Sequence, residues 1–381
     1  MFKRILPYFT VVFAVLLTTF ILWFPFLFRF SDWFGLKIER SSFDYITQSF
    51  DGPLYVIPAK TLYDINKIDV PGKGLIISLP LSAKYFAAHL PLYPFLIRAV
   101  KEIGVIGGYL HSMIFVNLLF TVLLALFFYY FVKTFKFSKN PLLLTLVFLM
   151  LPRFLIVRSV GAPESLFIFL VLTSLFFFEK KNYLVSGLLG GLAAMTKTPG
   201  ILLFIVYGLV AVEQYWKGKK FDWQWLFLFL IPLGLLGVFG IYAVQYKDFF
   251  AYFHSGDNIH LVAPFSMFNF QKNWVGTAWL EDIIFYLVIY LFTVISLKNI
   301  KQRSLFYFGL VFFIATTFVQ HRDIARYSLP LWPLACIAFE KLFTSKKFLI
   351  VLIILLPAIF LFGWNFMLYN VMPIGEWKPF L

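Results

Sequence analysis

Apolar residues recur along nearly the whole chain in long runs, and short polar segments separate these runs. A helix needs about 20 mostly apolar residues to cross the hydrocarbon core of a bilayer. The pattern therefore predicts an all-α fold, a polytopic transmembrane helix bundle of about eleven spans. We place the spans at residues 5–28, 105–131, 140–157, 162–178, 183–196, 200–215, 223–244, 282–297, 304–320, 327–340 and 348–368.

Prolines interrupt the apolar runs at two places. Pro152 and Arg153 lie inside the third predicted span, and Pro199 separates the fifth span from the sixth. Broken helices are tolerated in a membrane only where protein or a wet cavity satisfies the freed backbone groups. Small residues four apart between positions 186 and 191 predict a close packing seam on the fifth span.

Two polar segments are much longer than turns, and they cover residues 29–104 and 245–281. Six acidic residues occur in the first segment before position 70. Within it, residues 90–102 predict a short helix that lies at the membrane interface. We expect one membrane domain over residues 1–381, with a long first loop that carries short interfacial helices.

Composition supports the membrane assignment. The chain has 381 residues, of which 61% are hydrophobic and 13% are charged. A soluble domain carries about 25% charged residues, so this chain has too few polar side chains to cover a water-soluble body. Soluble, disordered and fibrous classes are excluded. Cys336 is the only cysteine, so no disulfide can form within the chain.

The basic residues are distributed unevenly between the polar segments. Segments predicted to lie on the side of the N-terminus hold sixteen of the 33 Lys and Arg residues, but four of the 18 acids. Because basic loops stay in the cytosol, we predict a multi-pass protein of the cell membrane with a cytoplasmic N-terminus. Both long segments and the active site are then extracytoplasmic. The excess of Lys and Arg is explained by the orientation of the protein in the membrane, so no nucleic-acid partner is predicted.

Several motifs of soluble enzymes are absent from the sequence. No Gly-x-Gly-x-x-Gly motif follows a strand pattern, and Gly72-Lys73-Gly74 lacks the spacing of a P-loop. No His and Cys residues have the spacing of metal ligands. We therefore predict no nucleotide substrate, no metal and no cofactor, and we expect the substrate to arrive through the membrane.

Two carboxylates occur seven residues apart in the first long loop. Asp44 and Asp51 would share one face if a helix joined them. Gly52 and Pro53 end any helix there, which leaves Asp51 at a turn just above the bilayer. Asp51 is either a solvated loop acid or a general base for an acceptor hydroxyl.

Two further charges lie at the predicted outer ends of spans. Glu164 follows Pro163 at the start of the fourth span, where it is either a helix-dipole acid or a site residue. Lys197 lies between two apolar spans, and no other charged residue occurs between positions 182 and 212. A cation in such a place is costly, and a phosphate partner would explain it.

Arginines follow the ninth span. Arg322 and Arg326 are four residues apart and share a helical face. They either pair with Asp323 or bind a phosphate bidentately. Arg153 and Arg158, at the outer end of the third span, are weaker candidates of the same kind.

Four polar residues of the two long segments are candidates for contact with an acceptor or a sugar. His89 and Tyr93 lie beside two prolines, which indicate a fixed bend; the alternatives are a snorkelling histidine and an interfacial tyrosine. His254 and Asp257 lie in the second long segment, which is either a lid or a plain loop.

In their order along the chain, these segments resemble the PIG-V-like mannosyltransferases of the GT-C superfamily, over about residues 44 to 340. Members of that family are multi-span enzymes that take a sugar from a polyprenyl phosphate and act on the non-cytosolic face. The motifs that carry the resemblance are Phe-Asp-Gly-Pro-Leu-Tyr (50–55), Leu-Pro-Leu-Tyr-Pro-Phe-Leu-Ile-Arg (90–98), Pro-Glu-Ser-Leu-Phe (163–167), Met-Thr-Lys-Thr-Pro-Gly (195–200) and Arg-Tyr-Ser-Leu-Pro (326–330).

The resemblance implies roles for individual residues. Asp51 matches the first-loop acid that is the family's catalytic base, with Phe50 in place of the usual Trp. Glu164 matches the glutamate of the Glu-Ser-Leu-Phe motif. Lys197 occupies a position that is usually Arg, and in related lipid-donor transferases a lysine in a similar context contacts the lipid phosphate. Arg326 and the following Tyr match the late Arg-Tyr pair.

We therefore expect an inverting glycosyltransferase that moves a sugar, mannose by the resemblance, from a polyprenyl-phosphate donor to a hydroxyl of a glycan, glycolipid or protein. A transporter or lipid flippase, a membrane scaffold, and a GT-C enzyme with an arabinosyl or aminoarabinosyl donor stay open as alternatives. The candidate catalytic residues are Asp51, Asp44 and Glu164, and the candidate donor-phosphate ligands are Lys197, Arg326, Arg322 and Tyr327.

Overall fold

The computed structural model is an all-α bundle, which confirms the predicted fold class. It describes residues 2–38, 44–68, 82–104, 106–218, 220, 222–256, 261–372 and 374. The first helices are α1 Phe2–Leu27, α2 Asp44–Thr47, α3 Val56–Thr61, α4 Leu92–Ile103, α5 Tyr109–Thr134, α6 Pro141–Phe148, α7 Pro152–Val157, α8 Glu164–Glu179 and α9 Tyr183–Thr196. The others are α10 Leu202–Trp216, α11 Leu230–Gln245, α12 Thr277–Leu297, α13 Arg303–Thr317, α14 Ile324–Tyr327, α15 Trp332–Ala338, α16 Glu340–Phe343 and α17 Lys346–Tyr369.

Shorter elements lie between these helices. A two-stranded antiparallel hairpin pairs β1 Asp32–Trp33 with β2 Leu36–Lys37 just after α1. Turns of 3₁₀ helix occur at Gly52–Tyr55, Ala83–Ala88, Thr198–Ile201, Trp223–Phe229, Ser266–Phe268 and Leu329–Leu331.

Six helical stretches in the described part of the chain are long and apolar enough to cross a membrane. Many large apolar side chains on them face outward, among them Phe9, Leu233, Phe285 and Ile354. Contiguous apolar surface of this kind is stable only against lipid or another protein. The protein is therefore an integral membrane protein, while the span count of about eleven stays a prediction. The six stretches are Ile5–Leu27, Tyr109–Thr134, Thr198–Trp216, Trp223–Gln245, Thr277–Leu297 and Lys346–Tyr369.

Helix α8 lies at the centre of the bundle, between α5 and α9. Almost all of its side chains are buried, including the polar Glu164, Ser165 and Ser174. Along α9, Gly187 and Gly191 pack directly against the backbone of the segment that leads into α11. The small residues thus form the predicted packing seam, and this close packing fixes the end of α9 that carries Lys197.

The predicted break in the third span is real, because α6 ends at Phe148 and α7 begins at Pro152. Buried side chains satisfy carbonyl groups both at this break and at the end of α7, as a membrane interior demands. The side chain of Asn117 donates to the carbonyls of Val157 and Val160, and the Trp332 indole donates to that of Phe148 at 2.8 Å.

The tenth predicted span, residues 327–340, is wrong as one continuous helix. The chain there forms α14, the 3₁₀ turn Leu329–Leu331 and α15 in succession. Pro330 and Pro333 each lack a backbone donor, and each lies in the first turn of a new segment, where that donor would have no helical partner.

Arg158 is not a candidate for phosphate binding in this fold. Its side chain is fully buried, and it donates to the hydroxyl groups of Thr18 at 2.7 Å and Thr19 at 3.1 Å. The arginine therefore fastens the end of α7 to α1, which is a structural role.

Candidate functional site

A cavity of about 910 Å³ lies where the segments predicted to be extracytoplasmic meet. Its wall is built from the first loop, the starts of α7 and α14, the end of α9, the second long loop and the end of α17. Seven of the charged or polar candidates line this cavity: Asp51, His89, Arg153, Lys197, Arg322, Arg326 and Tyr327.

A tight turn presents Asp51 to the cavity. Helix α2 ends at Thr47, Phe50 adopts a left-handed backbone conformation with φ of +55°, and a 3₁₀ helix begins at Gly52. A Cβ atom at Gly52 would lie 2.5 Å from the carbonyl oxygen of Gly161, so a larger residue would push the turn off the bundle. Because residue 52 is a glycine, the turn packs closely against Gly161, and Asp51 can contact Arg326 of α14.

The chain after α17 holds the other side of this turn. Ser49 forms an isolated antiparallel bridge with Val371, and the amide of Met372 donates to the carbonyl of Gln48 at 2.8 Å. The amide of Phe50 donates to the carbonyl of Asn370 at 3.3 Å. Residues near the end of the described chain thus fix the backbone immediately before Asp51.

Four charged side chains, Asp51, Glu164, Lys197 and Arg326, form one charge cluster. Nη1 of Arg326 donates to Oδ1 of Asp51 at 2.8 Å, and its Nε donates to Oε1 of Glu164 at 2.8 Å. Nζ of Lys197 donates to the same Oε1 of Glu164 at 2.6 Å. The two negative and two positive charges cancel, and this pairing lowers the cost of holding four charges in a largely buried place.

Asp51 is ionised at neutral pH in this arrangement. Burial opposes the charge, but the positive charges of Arg326, His89 and Lys197 outweigh it and hold the pKa of the Asp51 carboxyl well below its usual value. The side chain is 34% exposed, toward the cavity. Among the described residues no hydrogen bond reaches Oδ2, so this oxygen is available to a ligand.

Aromatic rings position the two cations of the cluster. The Arg326 guanidinium lies 4.5 Å from the centre of the Phe50 ring, and Nζ of Lys197 lies 5.4 Å from the centre of the Tyr327 ring. Both distances are within the range of cation–π attraction. Phe50 thus supplies an aromatic face to Arg326.

A second group of charges lines the opposite part of the cavity wall. Arg153 lies over the Phe366 ring at 4.3 Å, and its Nη1 is 3.5 Å from Oδ1 of Asp323. Arg322 is exposed, and it has no ion pair among the described residues. The Trp279 indole donates to the backbone carbonyl of Arg322 at 2.7 Å, which fixes this segment to the start of α12.

Some sequence interpretations are corrected by these contacts. Lys197 is not an unpaired cation, because Glu164 binds it. Arg326 does not pair with Asp323, its near neighbour in sequence, but with Asp51 and Glu164. No helix joins Asp44 to Asp51, since α2 ends at Thr47, so the two acids do not share a helical face.

The remaining candidates have no hydrogen bond to the charge cluster among the described residues. Tyr93 is fully buried, and its hydroxyl donates to the carbonyl of Met113 at 2.9 Å, so it cannot contact an acceptor. His254 is exposed and binds Asp248, which also accepts from Lys84 of the first loop. Asp257 lies outside the described residues.

Several cavity residues were missed by the sequence interpretation. His321, Trp274 and Trp279 line the wall, as does Asn370 after α17. The two tryptophans lie in a segment predicted to be extracytoplasmic, and aromatic residues in such a segment were a usable signal. No local signal marks Asn370, because its place in the wall depends on long-range pairing with the first loop. Among the described residues no group of three or more His, Cys, Asp or Glu side chains could hold a metal ion.

The bundle has a GT-C-like fold. One solved structure with a similar fold is the crystal structure of ArnT from Cupriavidus metallidurans bound to undecaprenyl phosphate, with a TM-score of 0.55. The match covers 89% of this chain and 61% of the ArnT chain at 14% sequence identity. This chain therefore spans about three fifths of the length of ArnT, and at this identity the likeness concerns the fold alone. No protein-family model and no curated protein matches the chain.

Proposed function

We propose that this protein is a glycosyltransferase that takes a sugar from a polyprenyl-phosphate donor and transfers it to a hydroxyl group. The observation that carries the proposal is the joint presence of an ionised carboxylate, Asp51, and an exposed cation, Arg322, in the wall of one cavity. The cavity, of about 910 Å³, is large enough for a sugar and its phosphate. The undecaprenyl phosphate bound to ArnT supports a lipid-borne donor.

In this proposal Asp51 is the general base. Its Oδ2 accepts the proton of the acceptor hydroxyl while the hydroxyl oxygen bonds to the anomeric carbon. The bond between that carbon and the phosphate oxygen breaks on the opposite side, and the electron pair leaves with the lipid phosphate. One displacement inverts the anomeric centre. The phosphate leaves as an anion and needs no proton, so a single carboxyl group suffices.

The cation most available to the donor phosphate is Arg322. Lys197, Arg326 and Arg153 each have a carboxylate within 4.0 Å, whereas Arg322 has none among the described residues. Lys197 carries three donors, one of which binds Glu164, and it lines the same cavity. We therefore assign the phosphate to Arg322 and Lys197, which stabilise the negative charge that grows on it.

The donor sugar and the acceptor are proposed from the sequence resemblance. The PIG-V-like motifs favour mannose, and an arabinosyl or aminoarabinosyl donor is the alternative within the same fold. The acceptor is a hydroxyl of a glycan, a glycolipid or a protein on the extracytoplasmic face.

Membrane vesicles that contain the protein and labelled polyprenyl-phosphate mannose test the proposal. We expect label to move from the donor lipid into a new glycosidic product. The variant Asp51→Asn should lower this transfer by about 10²- to 10⁴-fold, which is the usual contribution of a general base. Asp32→Asn is the matched control, because Asp32 is an exposed acid of the same loop that pairs with Lys37 away from the cavity.

Two outcomes would contradict the proposal. Full transfer by Asp51→Asn would remove this carboxyl group as the base. Movement of the labelled lipid between leaflets with no new glycosidic product, from either the mannosyl or the aminoarabinosyl lipid, would favour a flippase.

A further inference from the structure

Glu164 is the charged side chain of the cluster that protein encloses most completely. Its side chain is 2% exposed and both of its oxygens have protein partners. Oε1 accepts from Lys197 and from Nε of Arg326, and Oε2 accepts from Nη2 of Arg326 at 3.3 Å. Protein encloses both oxygens, and Glu164 is not part of the cavity wall, so neither oxygen can reach a sugar or an acceptor hydroxyl.

The contacts with Glu164 determine where Arg326 points. A guanidinium group is a planar, rigid fork, so fixing Nε and Nη2 also fixes the direction of Nη1. That third nitrogen donates to Oδ1 of Asp51 at 2.8 Å. Glu164 therefore orients the Asp51 carboxylate through Arg326 and leaves Oδ2 facing the cavity.

The same carboxylate also holds Lys197 at 2.6 Å. Glu164 thus connects the side of the cavity where a proton would be accepted to the side where the leaving phosphate would be stabilised. We propose that Glu164 is a positioning residue that sets the geometry of Asp51 and Lys197 together and does not itself touch the substrate. This inference rests on the proposed function.

A kinetic signature distinguishes this role from direct contact. Loss of the Glu164 charge leaves Lys197 and Arg326 less neutralised, so attraction of the anionic donor is retained or increased. The orientation of Asp51 is lost, and a misplaced catalytic group costs about 10²-fold in rate. We therefore expect Glu164→Gln to lower kcat by about 10²-fold while the KM for the polyprenyl-phosphate donor is unchanged or lower.

Glu179 provides the matched control. It lies at the other end of α8 and accepts hydrogen bonds from the amide of Ser304 at 2.9 Å and from its hydroxyl at 2.6 Å. Glu179→Gln removes a half-buried charge from the same helix and should leave kcat and KM unchanged. Glu164→Asp retains the charge with a shorter reach, so it should fold even if Glu164→Gln does not, and it should lower kcat without raising KM.

A spectroscopic measurement separates this inference from the proposed function. The infrared carboxylate band of Asp51, assigned by difference from Asp51→Asn, should shift in the Glu164 variants and not in Glu179→Gln. This readout needs no substrate, so it holds even if wild-type protein transfers no sugar. An unshifted Asp51 band, or a Glu164 variant that raises KM at constant kcat, would overturn the positioning role.

Discussion

At the scale of single residues, the contact between Arg326 and Asp51 decides what kind of base Asp51 can be. A carboxylate beside an arginine is always ionised near neutral pH, but it binds a proton weakly. Such a weak base suits a reaction in which the bond to the leaving group breaks early and the acceptor hydroxyl loses its proton late. In the proposed transfer, the positive charge that develops on the sugar ring would make the hydroxyl acidic enough for Asp51.

This contact predicts how stability depends on pH. The pKa of Asp51 is lower in the folded protein than the value of about 3.9 in an unfolded chain. The stabilisation by its charge is therefore complete above that value and is lost only as pH falls through the lower folded pKa. We expect the difference in melting temperature between wild type and Asp51→Asn to be constant from pH 8 to pH 5. A difference that shrinks over this range would mean that Asp51 titrates there.

The sequence indicated which charges matter but not how they pair. Asp323 lies three residues before Arg326, and a local ion pair was the simplest expectation. In the structure Asp323 faces Arg153, while Arg326 reaches Glu164 on α8 and Asp51 in the first loop. The pairing depends on the direction of a four-residue helix, α14, and such a short element leaves no periodic pattern in the sequence.

At the scale of elements, the contact between α9 and α11 controls the position of Lys197. A Cβ atom at Gly191 would lie 2.7 Å from the carbonyl oxygen of Leu230, and a backbone atom cannot swing aside as a side chain can. We expect Gly191→Ala to destabilise the protein by about 1–3 kcal/mol. Thermal unfolding in detergent should show a melting temperature lower by several degrees.

Gly208 of α10 is the matched control for this prediction, because nothing lies within 4 Å of a Cβ atom built there. Gly208→Ala should be neutral or slightly stabilising, since Ala has the higher helix propensity. Equal melting temperatures for the two variants would mean that the seam can open without cost.

Elements with strong apolar patterns were predictable, and elements defined by long-range contact were not. Pro152 and Pro199 marked real breaks because proline acts locally. The bridge between Ser49 and Val371 joins positions at opposite ends of the chain, and nothing in either segment alone predicts it. This bridge fixes the turn before Asp51, so the geometry of the candidate base could be obtained only from the structure.

At the scale of the whole molecule, the charged contacts form two separate groups. Glu213 with Arg303 and Glu340 with Ser138 join segments that the sequence predicts on the N-terminal side of the membrane. The charge cluster around Asp51 and the Lys84 contact with Asp248 join segments predicted on the other side. None of these contacts links a segment of one predicted side to a segment of the other, and the alternation of the spans stays a prediction.

A labelling experiment tests the prediction that the cavity lies on the extracytoplasmic side. The native Cys336 is buried, so we expect it to react little and the labelling of introduced cysteines to stand out clearly. We expect a membrane-impermeant maleimide to label Gln271→Cys, on the side of the cavity, in intact cells. Lys139→Cys, exposed on the basic side, should react only after the membrane is permeabilised. The reverse pattern would place the cavity in the cytosol, where it could not receive a donor sugar presented on the extracytoplasmic leaflet.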